Sequence, residues 1–183
     1  MTPEEFLLSF NRSTYAFRYI DPNEPNKNKA AQNKTVKKED LAFFLQKSLK
    51  VNTTRNVYFI VNDTNGKSSN EDVIYLNSLF IDTDEAPKDI LKSFTKTLPF
   101  KATHVLESSP GKYHIYYFIE PKEATPQNIF RWKRIQILLA RLGTDRPLAD
   151  EGTMKTVSRV LRVPGFKHIK KNVTCALLKS DLN

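Results

Sequence analysis

The chain has 183 residues, 39% hydrophobic and 11% aromatic, with 29 Lys or Arg against 20 Asp or Glu for a net charge of +9. That length suits one domain with a real core, about 68–70% of the unfolded surface being buried at this size, and the apolar content excludes a disordered polyelectrolyte. No apolar run approaches the ~20 residues that span a bilayer, the N-terminus shows no signal-peptide stretch, and the single Cys175 excludes an internal disulfide or a cysteine-rich zinc site, so a cytoplasmic location without a membrane partner is expected.

Thr2-Pro3-Glu4-Glu5 carries a helix start, with a capping hydroxyl, proline at the first position and acids in the first turn, and Phe6, Leu7 and Phe10 supply its apolar stripe. Residues Asp21 to Lys34, rich in Asn, Pro and Lys, read as an exposed loop. Leu41, Phe44, Leu45 and Leu49 recur at helical spacing and predict a helix from Lys37 to Leu49. The period then shortens: Val57 to Val61 and Ile74 to Asp82 predict strands, separated by the turn signal Asn62 to Gly66. A proline-started helix is expected from Ala86 to Thr97, then strands His104 to Ser108 and Tyr113 to Ile119 joined by Ser109-Pro110-Gly111. A long helix from Pro126 to Leu142 would carry Ile129, Ile135, Leu138, Leu139 and Leu142, and strands Arg159 to Val163 and Val173 to Leu178 close the chain. Helices and strands in this mixed order predict an α+β domain around a largely antiparallel sheet.

Charge is concentrated late in the chain. Between Arg131 and Lys171 there are eleven Lys or Arg against Asp145, Asp150 and Glu151, a balance of +8, which suits a polyanion such as nucleic acid or nucleotide phosphate. Leu79-Phe80-Ile81-Asp82-Thr83-Asp84 ends an apolar strand on two acids whose i, i+2 spacing points them to one side, where Mg²⁺ or Mn²⁺ would relieve their repulsion. Ser108-Ser109-Pro110-Gly111-Lys112-Tyr113-His114 pairs a tight turn with hydroxyls, N–H groups and a lysine suited to phosphate, and brings His114 to a strand start with Tyr116 on the same face. It lacks the frame of a P-loop. In Ser158-Arg159-Val160-Leu161-Arg162-Val163-Pro164-Gly165-Phe166-Lys167-His168-Ile169-Lys170, an ideal strand would send Arg159 and Arg162 to opposite faces, one toward a site and the other bracing a carboxylate or a template phosphate.

An apolar strand ending in Asp-x-Asp, a serine-glycine turn leading to a histidine, and an acid followed by Arg-x-x-Arg-x-Pro-Gly resembles, in that order, the archaeo-eukaryotic primase superfamily, most closely its RepB-like and phage or plasmid primase-polymerase branch. The resemblance covers roughly Asn56 to Lys171. It implies a single catalytic domain over 1–183, with the motifs in about 56–171 on a sheet related to the RNA-recognition fold and an N-terminal α/β element in about 1–55. By motif position it makes Asp82, Asp84 and Asp150 the ligands of a two-metal Mg²⁺ or Mn²⁺ site, with Asp145 the other candidate for the third carboxylate. His114 becomes the nucleotide-contacting histidine, and Ser109, Lys112, Arg159, Arg162 and Lys170 contact nucleotide phosphate. Thr156 stands where many relatives carry a second acid, Lys112 where a small hydroxyl residue is frequent, and the zinc element of some relatives is absent.

The activity so implied is metal-dependent nucleotidyl transfer from nucleoside triphosphates on a single-stranded DNA template, in replication of a phage, plasmid or other mobile element. Arg131, Lys133, Arg134 and Lys167 would carry template phosphates. Trp132 offers either a stacking surface for a base or packing on the long helix. A helicase domain or another replication partner is compatible with the resemblance, as is a chain that is one piece of a longer replication protein. The alternatives are a non-catalytic single-stranded nucleic-acid-binding module and a metal-dependent nuclease.

Overall fold

The computed structural model describes residues 1–83, 96, 98, 100–141, 149 and 151–181. Helix α1 (Pro3–Leu8) opens on a reciprocal cap in which Glu5 N–H donates to the Thr2 hydroxyl and Thr2 N–H to the Glu5 carboxylate. Six residues are too few for a helix to persist alone. Burial holds it: Phe6 and Phe10 meet Phe59 and Tyr116 edge to face at 5.2–5.8 Å.

Strand β1 (Thr14–Ile20) follows, with Tyr15, Phe17 and Tyr19 alternating into the core. The loop expected over Asp21 to Lys34 instead contains a helical turn, α2 (Lys27–Ala30), and most of strand β2 (Ala31–Lys37), which pairs with β1 from Thr14↔Lys37 to Ile20↔Ala31. β2 is an edge strand whose only buried side chain is Val36, so its order comes from main-chain pairing and its polar composition hid it. Helix α3 (Leu41–Val51) buries Leu41, Leu45 and Ser48, and the Ser48 hydroxyl lies 2.6 Å from that of Tyr19. It starts four residues later than expected, and Leu49 is exposed.

Strands β3 (Asn56–Ile60), β4 (Asp63–Thr64) and β5 (Val73–Asp82) come next, then the hairpin β6 (His104–Ser109) and β7 (Lys112–Glu123). The helix expected over Ala86 to Thr97 lies outside the described residues except at Lys96. Helix α4 (Pro126–Arg141), the short α5 (Glu151–Met154), and strands β8 (Val160–Arg162), β9 (Lys167–His168), β10 (Val173–Thr174) and β11 (Ala176–Ser180) complete the chain. The strand expected over Val173 to Leu178 is thus two strands, one in each of two sheets.

All described strand pairings are antiparallel. One sheet has the order β2-β1-β3-β8, a second β11-β6-β7-β5-β4, and β9 and β10 form a ribbon. Phe59 of the first sheet and Tyr116 of the second meet at 6.2 Å, and the buried Arg12 guanidinium ties the two by donating to Ile60 O (2.7 Å) and Asn77 Oδ1 (3.2 Å). The expected α+β architecture on a largely antiparallel framework is the one observed.

Helix α4 packs along β5 on the side of β4, over the stretch beyond the short β4 pairing at Val73 and Tyr75. Gln136 donates to Phe80 O (3.1 Å) and accepts from Phe80 N–H (3.0 Å), while Trp132 Nε1 donates to Ser78 O (2.9 Å), so two side chains stand in for a missing neighbour strand. The buried face is Trp132, Gln136, Leu139 and Ala140, whereas Ile135 and Leu138 point to solvent. The apolar stripe read from the sequence was therefore rotated, because polar Gln136 is buried for its hydrogen bonds. Trp132 packs at 5.9 Å from Phe80 and presents no stacking face.

Candidate active site

The two large sheets leave a cavity of about 170 Å³ between them, lined by β3 (Tyr58), β5 (Asp82), β6 (Ser108, Ser109), β7 (Lys112, His114), the β8 region (Arg159 to Arg162) and His168. Asp82 reaches it because β5 is buried from Leu76 to Ile81 and emerges at its last residue. Its register partner on β7 is His114, whose neighbour on β6 is Leu106, so one row of side chains crosses the sheet at the cavity.

The Asp82 carboxylate is held from two sides. Arg159 Nη2 donates to Oδ2 at 2.6 Å, and His114 Nε2 lies 3.5 Å from Oδ1. Burial, aided by Arg162 and Arg159 and opposed by Asp82, pushes His114 down to about 4, so the ring is neutral near pH 7. Its buried Nδ1 meets no hydrogen-bond partner among the described residues.

Arg159 and Arg162 do not diverge as an ideal strand would make them. β8 begins at Val160, and Arg159 sits in the approach, its N–H bonded to Thr156 O and its carbonyl to Val61 N–H. Both arginines line the same cavity. Arg162 donates to Asn56 Oδ1 (3.0 Å) and Tyr58 Oη (2.9 Å) and lies 4.8 Å over the Tyr58 ring. With Lys112, these cations face Asp82, the one carboxylate in the described lining, and make the cavity suited to an anion.

The β6–β7 turn has Pro110 and Gly111 at its centre, Gly111 at φ +74°, the pattern of a type II turn. Several of its groups are used internally. Gly111 N–H donates to Glu107 Oε1 (3.2 Å) and Ser108 Oγ to Lys112 O (3.2 Å), while Ser109 Oγ accepts from Lys171 Nζ (3.3 Å).

The structure thus gathers Asp82, Ser109, Lys112, His114, Arg159 and Arg162 in one place. Lys167 and Lys170 are exposed outside the lining, and Lys171 is the lysine that reaches the turn. Arg131, Lys133 and Arg134 lie on α4, also outside the lining. Asp84, Asp145 and Asp150 fall outside the described residues. Sequence reasoning missed Asn56, Tyr58 and His168 as parts of the site. The signal available for the first was a polar Asn at the head of an otherwise apolar strand.

Residues 62–180 match the family described as the RepB DNA-primase N-terminal domain. The chain belongs to this family. Solved structures share the domain's fold. The AEP domain of the cyanophage S-2L primase-polymerase superposes with a TM-score of 0.71 at 20% identity, over 99% of this chain and 90% of that one. The catalytic domain of primase RepB′, solved in complex with initiator DNA, gives 0.69 at 14% identity over 99% and 85%. A further RepB′ structure gives 0.67 at 15% identity; this domain spans 97% of its own length and 55% of that chain. No curated protein matches the sequence. Among the described residues no helix is long and apolar enough to cross a membrane.

Proposed function

We propose that this primase-family domain synthesises or extends strands on single-stranded DNA by metal-dependent nucleotidyl transfer, in replication of a phage, plasmid or other mobile element. The observation that supports this most is the meeting of Asp82, His114, Lys112, Arg159 and Arg162 at one cavity, since a carboxylate framed by cations is what a triphosphate with its counter-ion requires.

Among the described residues no three His, Cys, Asp or Glu group as a metal site. Asp82 nevertheless offers a hard oxygen donor on the cavity wall, which fits Mg²⁺ or Mn²⁺ as one ligand, and Asp84 and Asp150 would supply the others. When bound, the ions would activate the attacking hydroxyl and neutralise the leaving pyrophosphate. The chain's own residues do the positioning. Lys112 and Arg162 hold phosphate oxygens by charge-assisted bonds. Neutral His114 adds a hydrogen bond without a second charge, and Arg159 keeps Asp82 aimed into the cleft.

The test is incubation with single-stranded DNA, labelled nucleoside triphosphates and Mg²⁺ or Mn²⁺. New or extended strands are expected. Shortened strands would establish a nuclease instead, and unchanged strands with bound DNA a binding module.

A further inference from the structure

Two asparagines ahead of the matched family segment act on the cleft. Asn52 closes α3, its N–H bonded to Ser48 O (2.8 Å), and Asn56 opens β3; both are buried. The Asn52 side chain behaves as a peptide group toward Lys167, accepting from its N–H at Oδ1 and donating from Nδ2 to its carbonyl (3.0 Å). Four residues on, Asn56 Oδ1 accepts from both Ile169 N–H (3.0 Å) and Arg162 Nη1 (3.0 Å). Among the described strands β9 pairs with β10, and on its other side Asn52 serves the main chain of Lys167 while Asn56 serves Ile169, just past the strand's end. His168, between the two anchored residues, lines the cavity, and the turn beyond it delivers Lys171 to Ser109.

One oxygen of Asn56 therefore ties the guanidinium on β8 to the main chain that carries His168. Arg162 is held by Asn56, by the Tyr58 hydroxyl and over the Tyr58 ring, so little side-chain freedom remains to be lost when an anion arrives. We propose that Asn52 and Asn56 are positioning residues that hold Arg162 and the His168 turn as a preformed anion-binding wall. This rests on reading the cleft as a triphosphate site and deepens it: the N-terminal element, before residue 62, builds part of that site.

Calorimetric titration of the whole chain with inorganic triphosphate and with ATP tests it, the thermal midpoint of each variant being recorded alongside. Asn56→Ala is expected to bind about tenfold more weakly, the loss typical of a hydrogen bond to a charged group. In an Arg162→Ala background the same change should cost clearly less, because the part that runs through the guanidinium is gone and only the Ile169 anchor of the His168 turn remains to be lost. Asn56→Ser serves the same cycle if the alanine variant does not fold. Asn52→Ala should keep its effect in the Arg162→Ala background and lose it with His168→Ala. Binding by Asn56→Ala within about twofold of the parent, or equal losses in both backgrounds as a loosened fold would give, overturns the proposal. So does a parent chain that binds no triphosphate. A parent that binds triphosphate without incorporating nucleotide, and shows the cycle, rejects the polymerase reading and upholds the anion wall.

Discussion

Arg159 Nη2 lies 2.6 Å from Asp82 Oδ2, linking the approach to β8 with the end of β5 across the cleft. The pair is partly buried, its side chains 29% and 19% exposed, so the contact is stronger than a surface ion pair and leaves the carboxylate reachable. Asp82→Ala is expected to lower nucleotide incorporation on the order of 100-fold or more while single-stranded DNA binding stays within about twofold. Arg159→Ala should cost less, and Arg159→Lys should recover only part of that, because an ammonium lacks the planar fork. Strand-extension rates with fluorescence anisotropy of labelled DNA measure both quantities. Full activity in Asp82→Ala would remove the carboxylate from the mechanism.

All three histidines, His104, His114 and His168, are pushed down to about 4, chiefly by burial and for the last two also by neighbouring cations. A folded-state value below the unfolded one near 6.5 means the unfolded chain binds more protons between them. Stability from these groups is complete above about pH 6.5 and is lost as pH falls toward 4, at about 1.4 kcal/mol per pH unit for a fully buried ring and less for partly exposed His168. The thermal midpoint should therefore drop steadily from pH 6.5 to 4.5. His104→Gln, at a buried ring whose Nε2 lies 2.8 Å from Ser9 Oγ among Phe6 and Phe118, should flatten the slope. A flat profile in the parent contradicts the assignment.

Most of the strands were legible because their alternation or apolar runs carry their own period, as in Val73–Asp82 and Lys112–Glu123. β2 was not, since an edge strand with one buried side chain has no hydrophobic pattern to read. The face of α4 was misread for the opposite reason: Gln136 is buried to serve the Phe80 main chain, and no pattern of apolar residues reveals a buried amide. In the site, the acid, histidine and arginines of the motifs could be named from their order. Asn56 and Tyr58 could not, because their role is to hold Arg162, a partner more than a hundred residues away in sequence.

Gln136 supplies a stability test. Replacing it with Leu leaves the Phe80 N–H and C=O buried without partners on that edge, at about 1–3 kcal/mol each. The thermal midpoint should fall by several degrees, given roughly 2–4 °C per kcal/mol at this chain length. Ile135→Gln, one residue away on the solvent side, should change stability by no more than about 0.5 kcal/mol. Equal effects at the two positions would mean that Gln136 does not support the β5 edge.

The solvent face of α4 tests where template phosphates run. Arg131 and Arg134 are exposed there, and Arg134 lies 5.8 Å over Phe130, itself 60% exposed, which places cations beside an open aromatic surface. Each cation that meets a phosphate of single-stranded DNA contributes about 0.7 to the slope of log affinity against log salt. Arg131→Ala with Arg134→Ala should thus reduce the slope by about 1.4 and weaken binding evenly across template sequences. Incorporation at saturating template should remain, because neither residue lines the cavity. An unchanged slope would move the template path off α4 and toward the exposed lysines Lys167 and Lys170, where the same measurement can be repeated.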